Sequence, residues 1–116
     1  MNLNPIFTAL ENELGYPVEQ DMYEGKEDIY GVYSYEDEHG TLYGDNHALE
    51  DTVNMRIQIY TPKNYNYMEL KHKTRDFLEK RGFIITGIRS WLESKIGNEA
   101  QKIRCTVIEM EYTGTH

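Results

Sequence analysis

A chain of 116 residues, 39% of them hydrophobic, has room for one domain with a single modest core. Its 20 acids against 12 bases leave a net charge of −8, a surface that repels nucleic acid and anionic membrane. A lone cysteine, Cys105, excludes an intramolecular disulfide, and no apolar run approaches the length of a membrane span. The opening MNLNPIF has neither the basic start nor the long apolar run of a secretion signal, so synthesis and retention in cytosol are expected. Ten tyrosines, a residue that favours half-buried sites and interfaces, point toward an assembly.

In chain order, Asn4-Pro5 opens a helix. Asn4 is placed to cap it, and Pro5 suits the first helical position, where its missing N–H is no loss. Ile6, Phe7, Leu10 and Leu14 form its apolar stripe, and Gly15 ends it. Residues 16–27 hold Pro17, Gly25 and several acids and read as a connector. The first strand runs from Asp28 to Tyr35, DIYGVYSY. Neither of its sides is clearly polar, so its inner face stays open, and Gly31 marks a bulge or a close backbone approach. Residues 36–51, EDEHGTLYGDNHALED, are rich in acids, with two glycines and two histidines, and read as the longest loop.

The stretch from Thr52 to Phe83 organises the rest. Val53, Met55, Ile57 and Ile59 alternate with Asn54, Arg56 and Gln58, the period of a strand with one wet and one buried face. After Pro62 the period becomes helical, with Tyr67, Leu70, Thr74, Phe77, Leu78 and Arg81 on one side. Asn66 is placed as N-cap with Glu69 three residues on, and Gly82 stands where a C-terminal cap belongs. Ile57, Ile59, Phe77 and Leu78 are expected deep in the core. Phe83 opens a third strand in which Gly87 marks a bulge. A turn centred on Gly97-Asn98 leads into the last strand, from about Lys102 to Tyr112. There Ile103, Cys105 and Val107 share one side, and Ile108, Met110 and Tyr112 the other. That shift implies a bulge near Val107 or burial on both faces. Gly114 and its neighbours read as a loose tail. The order α-β-β-α-β-β predicts an α+β fold over 1–116, a mostly antiparallel four-stranded sheet with two helices on one face.

The residues show little chemistry. His39 and His47 share a segment with Asp37, Asp45 and Asp51, but their spacing matches no metal motif, so no metal or cofactor is expected. Cys105 among Ile103 and Val107 reads as a small core residue rather than a nucleophile. No phosphate loop or nucleophile elbow occurs, and no enzyme activity is expected. Lys71, Lys73 and Arg75 form a basic cluster on the second helix. Read blandly, it is a solvated helix side; read functionally, it meets an acidic partner surface.

Several pieces together resemble a family of small proteins from long-tailed, non-contractile bacteriophages and prophages: head–tail joining, tail-terminator or tail-completion proteins. They are the short N-terminal helix, the tyrosine-rich IYGVYSYEDE, the acidic segment with Gly44-Asp45-Asn46, and VNMRIQIYTPKNYNYMELKHKTRDFLEKRGF. The closing Glu109-Met110-Glu111-Tyr112 also fits. The resemblance implies a homo-oligomer, typically a hexameric ring, at the tail–head junction of the virion, made in the cytoplasm of the bacterial host. Its implied partners are the tail tube protein and head-connector proteins, with DNA passing through the ring without specific binding. On that reading Lys71, Lys73, Arg75, Tyr30, Tyr33 and Tyr35 are candidates for the subunit interface. Glu36, Asp37, Glu38, Asp45, Glu50 and Asp51 are candidates for an acidic lumen that DNA does not stick to. A rival reading from charge alone is an acidic DNA mimic that occupies a DNA-binding protein, against which the basic helix side counts. Another is a small ligand-binding domain, which no convergent polar motif supports.

Overall fold

The computed structural model describes residues 1–44 and 47–115, and the side chains of these except at 41–43, 47–49 and 115. Helices α1 (Asn4–Leu14) and α2 (Tyr67–Lys80) alternate with strands β1 (Val18–Gln20), β2 (Tyr30–Gly44), β3 (His47–Pro62), β4 (Ile84–Lys95) and β5 (Asn98–Thr115). The strands lie in one mixed sheet in the spatial order β1-β2-β3-β5-β4. β1 runs parallel to β2, and the other pairs are antiparallel. The expected four-stranded antiparallel sheet is therefore corrected to a five-stranded mixed one, with chain order α-β-β-β-α-β-β. The added strand falls in the stretch read as a connector. Three residues are too short to show a period, and the pairing of β1 is fixed from outside it. Glu11 of α1 accepts a hydrogen bond from the Val18 N–H at 2.8 Å, and the Gly31 N–H donates to the Pro17 carbonyl at 2.8 Å.

A second correction concerns residues 36–51. Residues 36–44 and 47–51 belong to strands and not to a loop, because β2 and β3 stay paired from Tyr30–Tyr60 out to Gly44–His47. The sequence hides this for a physical reason. Register shifts at Tyr35/Asp37, Gly40/Leu42 and Leu42/Tyr43 break the alternation that would mark a strand. Of the expected loose tail, Gly114 and Thr115 are strand residues, and with Thr113 they pair with Asp51, Glu50 and Thr52; His116 lies outside the described residues. At the other end Asn98 pairs with Lys95 across the two-residue turn Ile96-Gly97, and β5 runs past the last β3 pair, Pro62–Ile103. The two hairpins thus point in opposite directions, and the molecule measures 58 × 25 × 23 Å.

Both helices pack on one face of this sheet. Phe7 and Leu10 of α1 and Leu70, Thr74, Phe77 and Leu78 of α2 are buried against Val53, Met55, Ile57, Ile59, Ile108 and Met110. Each apolar side chain among them contributes roughly 1.5–3 kcal/mol through burial. The caps of α2 are as the sequence indicates: Asn66 Oδ1 accepts from the Glu69 N–H at 3.5 Å. Gly82, at φ +95°, ends the helix with its N–H on the Glu79 carbonyl and the Phe83 N–H on the Leu78 carbonyl, both 3.1 Å. The start of α1 differs. Leu3 holds the cap position, and Asn4 lies within the first turn with its side chain committed elsewhere. Its Oδ1 accepts from the Tyr35 hydroxyl at 2.6 Å and its Nδ2 donates to Gln20 Oε1 at 3.2 Å.

Candidate assembly surfaces

Strand alternation divides the tyrosines of β2. Tyr33 and Tyr35 point to the helix side, paired across the sheet with Ile57 and Met55. Tyr33 is buried and stacks on Phe7, while Tyr35 bonds Asn4 and accepts from the Leu3 N–H at 3.0 Å. Tyr30 points the other way, toward the open face. The three do not share a surface, and Tyr33 has no area left for a partner.

The open face has its own order. Tyr30, Tyr60, Cys105 and Trp91 lie opposite one another in a row across four strands. The rings of Tyr23, Tyr30 and Tyr60 stack in series, with centroids 4.4 and 4.9 Å apart. On this face Cys105 and Val107 are buried although no helix lies over them. Of the two explanations for the shifted pattern in β5, burial on both faces is therefore the one realised, and its pairing with β3 runs without a bulge. Burial raises the Tyr30 and Tyr60 hydroxyls above the ordinary tyrosine value and pushes the Cys105 thiol up to about 11. A thiol so placed is protonated at neutral pH and unsuited to nucleophilic work. Farther along the face, charges alternate: Glu36 holds Arg56 at 2.8 Å, Arg56 lies opposite Glu109, and Glu109 holds Arg89 at 2.6 Å.

The basic side of α2 is already balanced within its own helix. Lys73 pairs with Glu69 at 2.9 Å, and Arg75 pairs with Asp76 at 3.1 Å and Glu79 at 3.2 Å. Lys71 reaches over the Tyr67 ring, 5.8 Å from its centroid. The sequence singles out the bases; the acids between them at helical spacing carry the counter-signal.

Of the candidate acidic residues, Glu36, Asp37, Glu38, Glu50 and Asp51 lie on β2 and β3. Asp37 pairs with His39 at 2.7 Å, and Glu38 with the N-terminal ammonium at 3.0 Å. Glu50 and Asp51 are strand residues of β3. Asp45 and the side chain of His47 lie outside the described residues, and among the described residues no group of acids, histidines and cysteine is arranged to hold a metal ion. No helix in the described residues is long and apolar enough to cross a membrane.

A pocket of about 420 Å³ opens where Tyr30 and Tyr60 meet Glu27, Asp28, Glu93 and the turn at Ile96. Sequence reasoning missed it because its walls come from four separate segments. No protein-family model matches the chain, and no curated protein matches it.

Proposed function

We propose that this chain is a structural protein of a phage particle: a subunit of a homo-oligomeric ring that ends the tail tube and joins it to the head. The observation that carries the reading is the form of the sheet. Only one face is covered by helices. The other carries an aromatic row, and the two hairpins extend to opposite ends of a 58 Å axis. A domain built around an internal site has no use for arms at both ends; a subunit that reaches neighbours on either side, and stacks between two larger bodies, does. A ring with rotational symmetry needs two different surfaces on each subunit, and a long asymmetric sheet supplies them.

In this reading the protein works by geometry and without catalysis. It is made in the host cytoplasm and ends in the virion, where the tail tube protein and a head-connector protein are its neighbours. The arm bearing Glu36, Asp37, Glu38, Glu50 and Asp51 faces the lumen, and its negative charge lets DNA pass without adhering.

The test is in vitro joining. Heads and tails from a phage lacking this gene are mixed with and without the purified protein, and infectious particles are counted. Restoration of infectivity, with the subunit seen at the junction by particle imaging, is the expected outcome. Joining that proceeds equally well without the protein contradicts the proposal.

A further inference from the structure

The pocket on the open face is built by the register of the sheet. Pro62, Ile103 and Glu93 lie opposite one another, two residues along from Tyr60, Cys105 and Trp91 and on the same side. Tyr30 and Tyr60 close one side of the pocket, and Glu27 and Asp28 reach it from the segment before β2. In the stacked series Tyr23, Tyr30, Tyr60, the last is an end ring. Its outer face is turned away from Tyr30, toward β5 and β4, where Ile103 and Glu93 line the same pocket. Among the described residues no other ring and no cation stacks on that face.

The charge of the pocket is one-sided. Glu27, Asp28 and Glu93 line it, and no cation among the described residues pairs with any of them. Lys95 stands on the rim without an ion pair, which leaves the excess negative. Glu93 is half-buried, and its charge is felt at both rings. Behind burial and the Cys105 thiol, it adds to the upward shift of the Tyr30 and Tyr60 hydroxyls. A half-buried carboxylate without a counter-charge gains when a cation joins it. The acids are spread around the cavity, and among the described residues none are gathered to hold a metal ion. That spacing suits a larger, flat cation, and about 420 Å³ is the size of a small-ligand site.

We propose that this pocket binds a guanidinium ion, the head of a free guanidino compound or of an arginine on another chain. Its plane lies on the outer face of Tyr60, and its N–H groups point to Glu93. A guanidinium is favoured over an ammonium because it is planar, weakly hydrated and able to stack on a ring while it forks a carboxylate. Pro62 and Ile103 give the stack an apolar floor. The same negative charge turns anions away. The inference goes beyond the ring reading and stands or falls without it.

The test is titration calorimetry of the full chain with small probes. N-acetyl-arginine methylamide stands for a protein side chain and agmatine for a free compound. N-acetyl-citrulline methylamide has the arginine shape without the charge, and N-acetyl-lysine methylamide has the charge without the plane. The proposal expects saturable binding of both guanidinium probes at one site per chain, weaker binding of the lysine probe and none of the citrulline probe. Whichever guanidinium probe binds more tightly names the source of the ligand. Glu93→Gln and Tyr60→Leu should each weaken binding about tenfold, while Tyr60→Phe keeps the ring and most of the affinity. Lys95→Gln removes a like charge and should not weaken it. Should Tyr60→Leu fail to fold, Glu93→Gln on the edge strand still decides. Equal binding of the citrulline probe, unchanged affinity in Glu93→Gln, or no saturable binding of either guanidinium probe overturns the proposal. A lysine probe that binds as tightly as arginine overturns the assignment to a guanidinium.

Discussion

Tyr33 lies flat against Phe7, with ring centroids 4.1 Å apart and planes 7° from parallel. This contact joins α1 to the middle of the sheet and takes Tyr33 out of play as a surface residue. Tyr33→Ala should cost roughly 3–5 kcal/mol, as large aromatic truncations in cores do. Tyr33→Phe keeps the stack and should cost about 1 kcal/mol or less. Urea unfolding of the two variants checks the assignment, and equal losses would show that the hydroxyl matters more than the ring.

Phe77 gives the matching check on α2. It is buried, with the Arg81 guanidinium 3.4 Å over its ring, and Phe77→Ala should lose roughly 3–5 kcal/mol. Gly82→Ala tests the end of the same helix. The position is left-handed, and an added Cβ would come within 3.3 Å of Tyr112, so a loss of about 1–2 kcal/mol is expected.

Alkaline pH should destabilise the protein through its buried phenols, Tyr16 among them. Burial raises the Tyr16 hydroxyl from 10.0 to about 12, and its bond of 2.9 Å to Thr74 opposes the shift in part. The folded state favours the neutral phenol, so this stability is fully present below pH 10 and is lost as pH rises toward 12. Two pH units correspond to about 2–3 kcal/mol. Cys105, pushed from 9.0 to about 11, contributes in the same direction at slightly lower pH. Tyr16→Phe should cost about 1 kcal/mol at neutral pH and flatten the decline above pH 10. Thermal melts of parent and variant across that range measure it, and parallel declines would contradict the assignment.

The charges on α2 lead to a prediction of small effects. Lys71, Lys73 and Arg75 are served by Tyr67, Glu69, Asp76 and Glu79 of their own helix. Reversing all three to glutamate replaces favourable i,i+4 pairs with repulsive ones and should lower stability by about 1 kcal/mol. Oligomer formation should be unchanged at physiological salt. A variant that folds but no longer assembles would return the interface to this helix face.

Trp91 is the only tryptophan, and it lies on the exposed edge strand. Its fluorescence should therefore shift to the blue as protein concentration is raised through assembly. An emission maximum that stays constant while the mass increases would place Trp91 outside the contact.

The parts of the fold legible in the sequence are those where one face is buried. Val53 to Ile59 and the stripe of α2 announce themselves by period, and their caps by residue type. Gly31 is legible as a close approach, since a Cβ there would meet Tyr16 at 3.2 Å and Ile57 at 3.3 Å. Illegible were β1, too short for a period, and the outer halves of β2 and β3, where register shifts break the alternation. The candidate surfaces were legible only as residue types. Tyr30, Tyr33 and Tyr35 look alike in sequence, and only the register of β2 on β3 separates the open face from the core.

The central claim is that the chain acts as an assembled ring, and the mass of the native particle tests it most directly. Sedimentation or native mass spectrometry of the purified chain, alone and after mixing with tails that lack it, should show a closed multiple of the 13.7 kDa subunit that resists dilution in at least one of the two conditions. A single species of 13.7 kDa in both, at every concentration reached, would contradict the account.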